Sequence, residues 1–124
     1  MVIGIGTDLT EVERVAQKIN KEAGFREMVF SKTEIAYCES KINQYEHFAA
    51  RFAAKEAFFK ALGTGWLVGT HFNEVEIIND AYGKPCLVLL GETKETLSAW
   101  RINTILVSLS HLKAIASAVV VIEK

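Results

Sequence analysis

Proline is nearly absent from this chain. The single one, Pro85, leaves helical runs unbroken elsewhere, and no proline-rich linker divides the sequence. Cysteine is scarce too. Cys38 and Cys86 share no C-x-x-C spacing, which argues against a thiolate metal site. Both read as small core residues, suited to a reducing cytoplasm. Charge of one sign is also lacking. A formal net charge of -1 excludes the basic excess of a generic nucleic-acid binder. No apolar run approaches the roughly 20 residues of a membrane span. The opening MVIGIGTDL has no basic flank and does not read as a signal peptide. A soluble, cytoplasmic protein is expected, with no membrane and no nucleic-acid partner. There is no repeat and no low-complexity stretch. What the chain does have is apolar content: 50% of its 124 residues are hydrophobic, enough for one domain over residues 1–124. Short chains bury a smaller share of their surface than long ones, so self-association is a natural way to cover the remainder.

The pattern alternates strand and helix signals. Val2 to Gly6 reads as a short buried strand between glycines. Thr10 and Glu13 form a T-x-x-E capping signal for a helix carried by Val12, Val15, Ala16 and Ile19, with Gly24 as its stop. Ser31 and Glu34 repeat the signal for a second helix to about Ser40. A third helix is predicted from about Tyr45 to Leu62, capped by Gly63. Val75–Ile78 and Cys86–Leu90 read as strands around the turn Asn79–Lys84. Glu92–Arg101 reads as a helix with Leu97 and Trp100 inward. Thr104–Ser110 and Ala114–Glu123 form a last strand pair. The fold class is α+β, a mostly antiparallel sheet packed against a long central helix.

The long helix carries the most informative anomaly. At about 100° per residue, Tyr45, Phe48, Ala49, Phe52 and Phe59 share one face, with Glu56 in its middle and Lys60 one turn on. A carboxylate in an apolar stripe is costly unless a cation, a metal or hydrogen bonds meet it. A Glu56–Lys60 pair explains the spacing but not the setting. Asp8 follows a strand and precedes a helix, where side chains commonly meet ligands; alone it reads as a turn residue. Two carboxylates meeting at one point suit magnesium, which takes oxygen ligands and completes its octahedron with water and substrate phosphates. Gly63-Thr64-Gly65 is a backbone-exposed turn beside Lys60 that can approach phosphates, though it lacks P-loop spacing. Ser108 and Ser110 share one strand face at period two, and with His111 could grip phosphate oxygens. Arg14, Lys18 and Lys21 make a basic stripe opposite the first helix's apolar face, able to steer an acidic protein partner.

Assembled, these residues make the sequence resemble the holo-acyl-carrier-protein synthase family of small 4′-phosphopantetheinyl transferases. GIGTDLTEVERV at Gly4–Val15 is similar to the family's opening motif, and RFAAKEAFFKALGTG at Arg51–Gly65 to its long second motif. FNEVEI, GKP and VSLSH follow in the family's order. The resemblance implies transfer of phosphopantetheine from coenzyme A to a serine of apo acyl carrier protein. It implies that Asp8 and Glu56 bind magnesium and that Lys60 contacts phosphates. Arg51, Gly63, Thr64, Gly65, Lys84, Pro85, Ser110 and His111 would form the coenzyme A pocket. Arg14, Lys18 and Lys21 would dock the carrier. A homotrimer with interfacial sites is implied as well. The general base stays open among Glu56, Asp8 and a metal-bound water, with Glu56 favoured, and manganese stays open beside magnesium. Two departures stand out. Leu112 follows His111 where several members carry a small hydroxyl residue, and Trp66–His71 is bulkier than the usual loop. The rivals are a metal-dependent phosphohydrolase and a non-catalytic nucleotide-binding oligomer.

Overall fold

The computed structural model describes residues 1–124. The chain forms β1 (Val2–Glu11), α1 (Val12–Lys21), α2 (Phe25–Val29), α3 (Lys32–Glu39) and α4 (Gln44–Leu62). A 3₁₀ turn at Phe72–Glu74 leads into β2 (Val75–Asn79) and β3 (Pro85–Leu89). Then come α5 (Gly91–Thr96), a second 3₁₀ turn at Ser98–Trp100, β4 (Thr104–His111) and β5 (Ile115–Glu123). There are two antiparallel sheets: a three-stranded one in the order β1-β5-β4, and the separate hairpin β2-β3. The expected antiparallel α+β architecture is present, split over two sheets instead of one.

The central helix differs from its predicted form. It is buried on nearly every side, with alanines at 49, 50, 53, 54, 57 and 61 spread around it. Small side chains let neighbouring elements approach closely, so one apolar cluster forms with the sheets and another with α1–α3. The stripe containing Glu56 is therefore not a unique apolar face. It is the flank of α4 where burial gives way to a cleft. The predicted cap holds: Gly63 adopts φ 82°, where a side chain would strain the backbone, and its N–H meets the Lys60 carbonyl.

β1 packs directly on α4 through glycine. A Cβ on Gly6 would run into the Ala57 carbonyl, and one on Gly4 into that of Ala61. Neither backbone can yield without moving the helix. Gly6→Ala is expected to destabilise the fold by about 1–3 kcal/mol, the usual range for overpacking, readable as a lower urea midpoint.

Two expectations fail near the first helix. β1 runs to Glu11, not Gly6, because its ladder with β5 continues to the pair Glu11–Ile115 and Val12 N–H then donates to Ala114 O. Thr10 is therefore extended and cannot cap α1, whose N-cap is Glu11 with no side-chain bond. Asp8 lies within a strand rather than a turn. The Ser31–Glu34 capping box, by contrast, is complete in both directions. The predicted helix over Glu92–Arg101 breaks into α5 and a 3₁₀ turn that ends at Arg101, whose φ is 55°. Leu97 is buried as expected; Trp100 is only partly so. Cys38 is fully enclosed and burial pushes its thiol up to about 12, whereas Cys86 is half-exposed.

Candidate active site

β1 and α4 bring Asp8, Glu56 and Lys60 to one place. Lys60 Nζ donates to Asp8 Oδ1 at 3.0 Å and to the Thr7 carbonyl at 3.0 Å. Thr10 Oγ1 donates to Asp8 Oδ2 at 2.7 Å, the use that displaces it from helix capping. Lys60 thus pairs with Asp8, not with Glu56 one turn away. Burial, and then the negative charge of Asp8, push the Glu56 carboxyl above its ordinary range, against the pull of Lys60 and Lys18. The Asp8 carboxylate thus adds to the cost of ionising Glu56.

They face a cleft of about 330 Å³ whose other walls include Thr10, Arg14, Lys18 and Phe52. Arg14 and Lys18 therefore turn toward the carboxylates instead of forming a detached solvated stripe. Lys21 is exposed and outside the cleft. Phe52 and Glu56 also wall a more apolar groove of about 470 Å³, completed by Phe25, Met28, Val29 and Trp66 among others. The bulky Trp66–His71 segment thus adds a wall beside Glu56, with Trp66 Nε1 bonded to Thr70 O at 2.9 Å. Gly63, Thr64 and Gly65 are exposed beyond the end of α4.

A second group of candidates lies elsewhere. Arg51 is five positions before Glu56, about 140° around the helix. Its guanidinium donates to Asn79 Oδ1 at 2.7 Å and lies 4.2 Å from the Tyr37 ring centroid. Asn79 in turn donates to Gly83 O at 2.9 Å, beside Lys84 and Pro85. His111 Nδ1 meets Glu46 Oε1 at 2.9 Å. Ser110 does not join it. Strand alternation turns Ser108 and Ser110 to the outer sheet face and His111 toward α4, so the expected joint grip is not formed within one chain. Leu112 is an exposed turn residue whose N–H bonds to Ile115 O. The helix α4 thus separates Asp8, Glu56 and Lys60 from Arg51, Lys84, Pro85 and His111.

Sequence reasoning passed over three features. Lys55 and Glu34 form a fully buried ion pair at 2.8 Å. Tyr37 and His47 sit between Arg51 and His111. His47 precedes Arg51 by one turn, a spacing visible in the sequence; Tyr37 and Lys55 meet their partners only through tertiary packing. No group of three or more His, Cys, Asp or Glu side chains is placed to hold a metal.

This combination of fold and paired carboxylates has relatives. The chain belongs to the 4′-phosphopantetheinyl transferase superfamily, whose family model matches residues 4–116. Within it, the similar proteins are holo-[acyl-carrier-protein] synthases. The one from Cytophaga hutchinsonii is 46% identical over 100% of this chain and 99% of its own. The crystal structure of the Neisseria meningitidis synthase superposes with a TM-score of 0.90 at 31% identity, covering 100% of both chains. That of the Helicobacter pylori synthase, in complex with coenzyme A, gives a TM-score of 0.83 at 30% identity, over 96% of this chain and 99% of the other. No helix here is long and apolar enough to cross a membrane.

Proposed function

We propose that this chain transfers 4′-phosphopantetheine from coenzyme A to a serine hydroxyl of apo acyl carrier protein. The serine oxygen forms a bond to the phosphorus that carries pantetheine. The bond from that phosphorus to the adenosine-side phosphate breaks, adenosine 3′,5′-bisphosphate leaves, and the serine proton passes to a base. The observation that carries this reading is that Asp8 and Glu56 face one cleft, with Lys60 bonded to Asp8, in a chain of this family.

Asp8 and Glu56 supply the hard oxygen donors that magnesium takes, and the raised Glu56 carboxyl fits a group awaiting a cation. With only two protein ligands, substrate phosphates and water would fill the remaining positions. When bound, the ion supplies charge neutralisation at the pyrophosphate. Manganese has the same donor preferences. Glu56, directly or through water, is positioned to take the serine proton, because a carboxylate held above its usual range is a better base near neutrality. Lys60, 55% exposed, can swing from Asp8 to stabilise charge on the departing phosphate. Arg14 and Lys18 at the cleft mouth, with exposed Lys21 farther along, suit an acidic carrier surface.

The coenzyme A contacts assigned to Arg51, Lys84, Pro85 and His111 lie across α4 from Glu56, and Ser110 faces the outer side of the sheet, an arrangement that favours their serving the site of another copy. Gly63, Thr64 and Gly65 stay on the Lys60 side. We infer a homotrimer with shared sites, three being the number the family resemblance implies. The exposed outer sheet face carries Ile5, Leu9, Leu106, Ile115 and Val119, apolar surface that assembly would cover.

The direct test mixes the protein with coenzyme A, magnesium and apo carrier, then weighs the carrier. A phosphopantetheine increment that disappears on chelation supports both the reaction and the metal. Phosphate release without carrier modification would favour a hydrolase, and binding without either product would favour a non-catalytic module.

A further inference from the structure

One wall of the groove beside Glu56 is irregular chain. Trp66, Thr70, His71 and Phe72 all border the groove, yet only Phe72 belongs to a regular element, the first 3₁₀ turn. Aromatic packing holds that end of the wall: Phe72 stacks on Phe52 at 6.3 Å and meets Phe59 edge-on at 5.1 Å. Trp66–His71 is held differently. Its hydrogen bonds to distant parts of the chain all end on α5, an element that does not border the groove. Thr96 Oγ1 donates to Gly69 O at 2.9 Å, and the His71 ring meets Glu92 Oε1 at 3.0 Å. The centre of the contact is Thr93, which is fully buried. Its hydroxyl accepts from His71 N–H at 2.8 Å and donates to Glu74 Oε1 at 2.8 Å. Its own N–H donates to the same carboxylate oxygen at 3.0 Å. Burial pushes the Glu74 carboxyl up, but the Thr93 side-chain and backbone bonds outweigh it and hold the group below its ordinary range. Capping of α5 by Glu74 explains the bonds to that carboxylate. It does not explain the His71–Thr93 and Gly69–Thr96 bonds, which reach back to the wall.

We propose that Thr93 is a positioning residue for the transfer, acting through His71 and Glu74 to set the Trp66–Phe72 wall against Glu56. Its part in the transfer rests on the transferase reading above; the clip between α5 and the wall does not. One hydroxyl can both accept and donate, so Thr93 ties two points of the wall segment at once. A valine there keeps the shape and does neither, leaving His71 N–H without an acceptor. The wall then keeps its aromatic anchor at Phe72 and loosens toward Trp66. Substrate groups delivered to Glu56 lose a fixed surface to rest on, and small displacements of that kind are costly to a positioned reaction.

The test compares Thr93→Val, which removes the hydroxyl, with Thr93→Ser, which keeps it, and melting temperatures check both folds. The first readout is the indole N–H signal of Trp66 by NMR, told from that of Trp100 by the variant Trp100→Phe. Trp66 Nε1 donates to Thr70 O within the wall, so its signal is expected to shift in Thr93→Val and to stay near its wild-type position in Thr93→Ser. The second readout is carrier modification with coenzyme A and carrier varied in turn. Thr93→Val should raise KM for one of the two substrates about tenfold, the scale of one lost hydrogen bond, while kcat holds, and Thr93→Ser should restore it. A merely structural loss lowers kcat through the unfolded fraction and leaves both KM values alone. Thr96→Val cuts only the bond to Gly69 and should give a smaller change of the same kind; it decides the matter if Thr93→Val does not fold. Both KM values unchanged, or a raised KM with the Trp66 signal unmoved, would overturn the proposal. If the wild-type chain never modifies carrier, the positioning role falls with the transferase reading, and a Trp66 signal that still shifts in Thr93→Val leaves the clip itself standing.

Discussion

Glu56→Gln is expected to lower kcat/KM for carrier modification by about 10²–10⁴-fold, the usual scale of a positioned acid or base, while leaving the melting temperature unchanged or higher. The substitution keeps size and hydrogen-bonding shape but removes one of two negative charges facing the cleft. Activity falls because the cation site loses a ligand charge and the serine loses a base. Stability does not fall, because the charge is a burden in the metal-free chain. The folded Glu56 carboxyl titrates above its unfolded value, chiefly through burial and then Asp8. Its contribution to stability is therefore fully present below the unfolded value and is lost as pH rises through the folded one. Above the folded value the ionised side chain has lost it, and glutamine mimics the protonated form. Magnesium should raise the melting temperature of the wild-type protein more than that of the variant. Carrier mass measured over time, beside thermal melts with and without magnesium, checks both halves. Near-normal turnover would remove Glu56 from the chemistry, and a melting temperature lower by many degrees would make it a structural residue.

Parts of this site were legible in the sequence because their determinants are local. The Ser31–Glu34 capping box and the Gly63 cap are written within four residues of the bonds they make, and both form. The helical arithmetic singled out Glu56 for an incomplete reason. It measured an apolar stripe on a helix that packing buries all round, so the telling fact is the cleft at Glu56 and the nearness of Asp8. What the sequence misplaced depends on distant partners. β1 overruns its predicted end because β5, more than a hundred residues later, continues the ladder. Thr10 then serves Asp8 instead of the helix. Ser110 and His111 looked like one grip because they are adjacent, yet adjacency in a strand places side chains on opposite faces. The separation of Arg51 from Glu56 follows from the same helical geometry that picked out Glu56.

The largest stability effect is expected one residue upstream of Glu56. Lys55 and Glu34 are both 0% exposed, and every charged atom of the pair has a partner. Lys55 Nζ donates to Glu34 Oε1 at 2.8 Å, to Phe72 O at 2.9 Å and to Val75 O at 2.5 Å. Glu34 also accepts from Ser31 N at 2.9 Å and from Ile77 N at 2.8 Å. Four elements, α3, α4, the first 3₁₀ turn and β2, therefore meet at one buried charge pair. Burial pulls the Lys55 ammonium below its ordinary range, and Glu34 opposes that pull. Lys55→Met leaves a buried carboxylate without its cation and two carbonyls without a donor. The expected cost is about 3–5 kcal/mol, the range for breaking such a pair from one side. Against a total of about 5–15 kcal/mol for a domain of ordinary stability, that can leave the chain partly unfolded. The double variant Lys55→Met/Glu34→Gln removes both charges, so its loss should be smaller than the sum of the two singles. Urea titrations of the four proteins measure this coupling. Function should follow stability only in part. The carbonyl of Phe72 is one of the Lys55 acceptors, and its ring stacks on Phe52 at 6.3 Å, so releasing Lys55 frees the groove wall beside Glu56. Residual transfer measured in the folded fraction should thus fall below wild type even where the fold survives. If Lys55→Met instead melts within about 1 kcal/mol of wild type, the fit of β1 glycines against α4 alanines holds the helix, and the pair sets only its register.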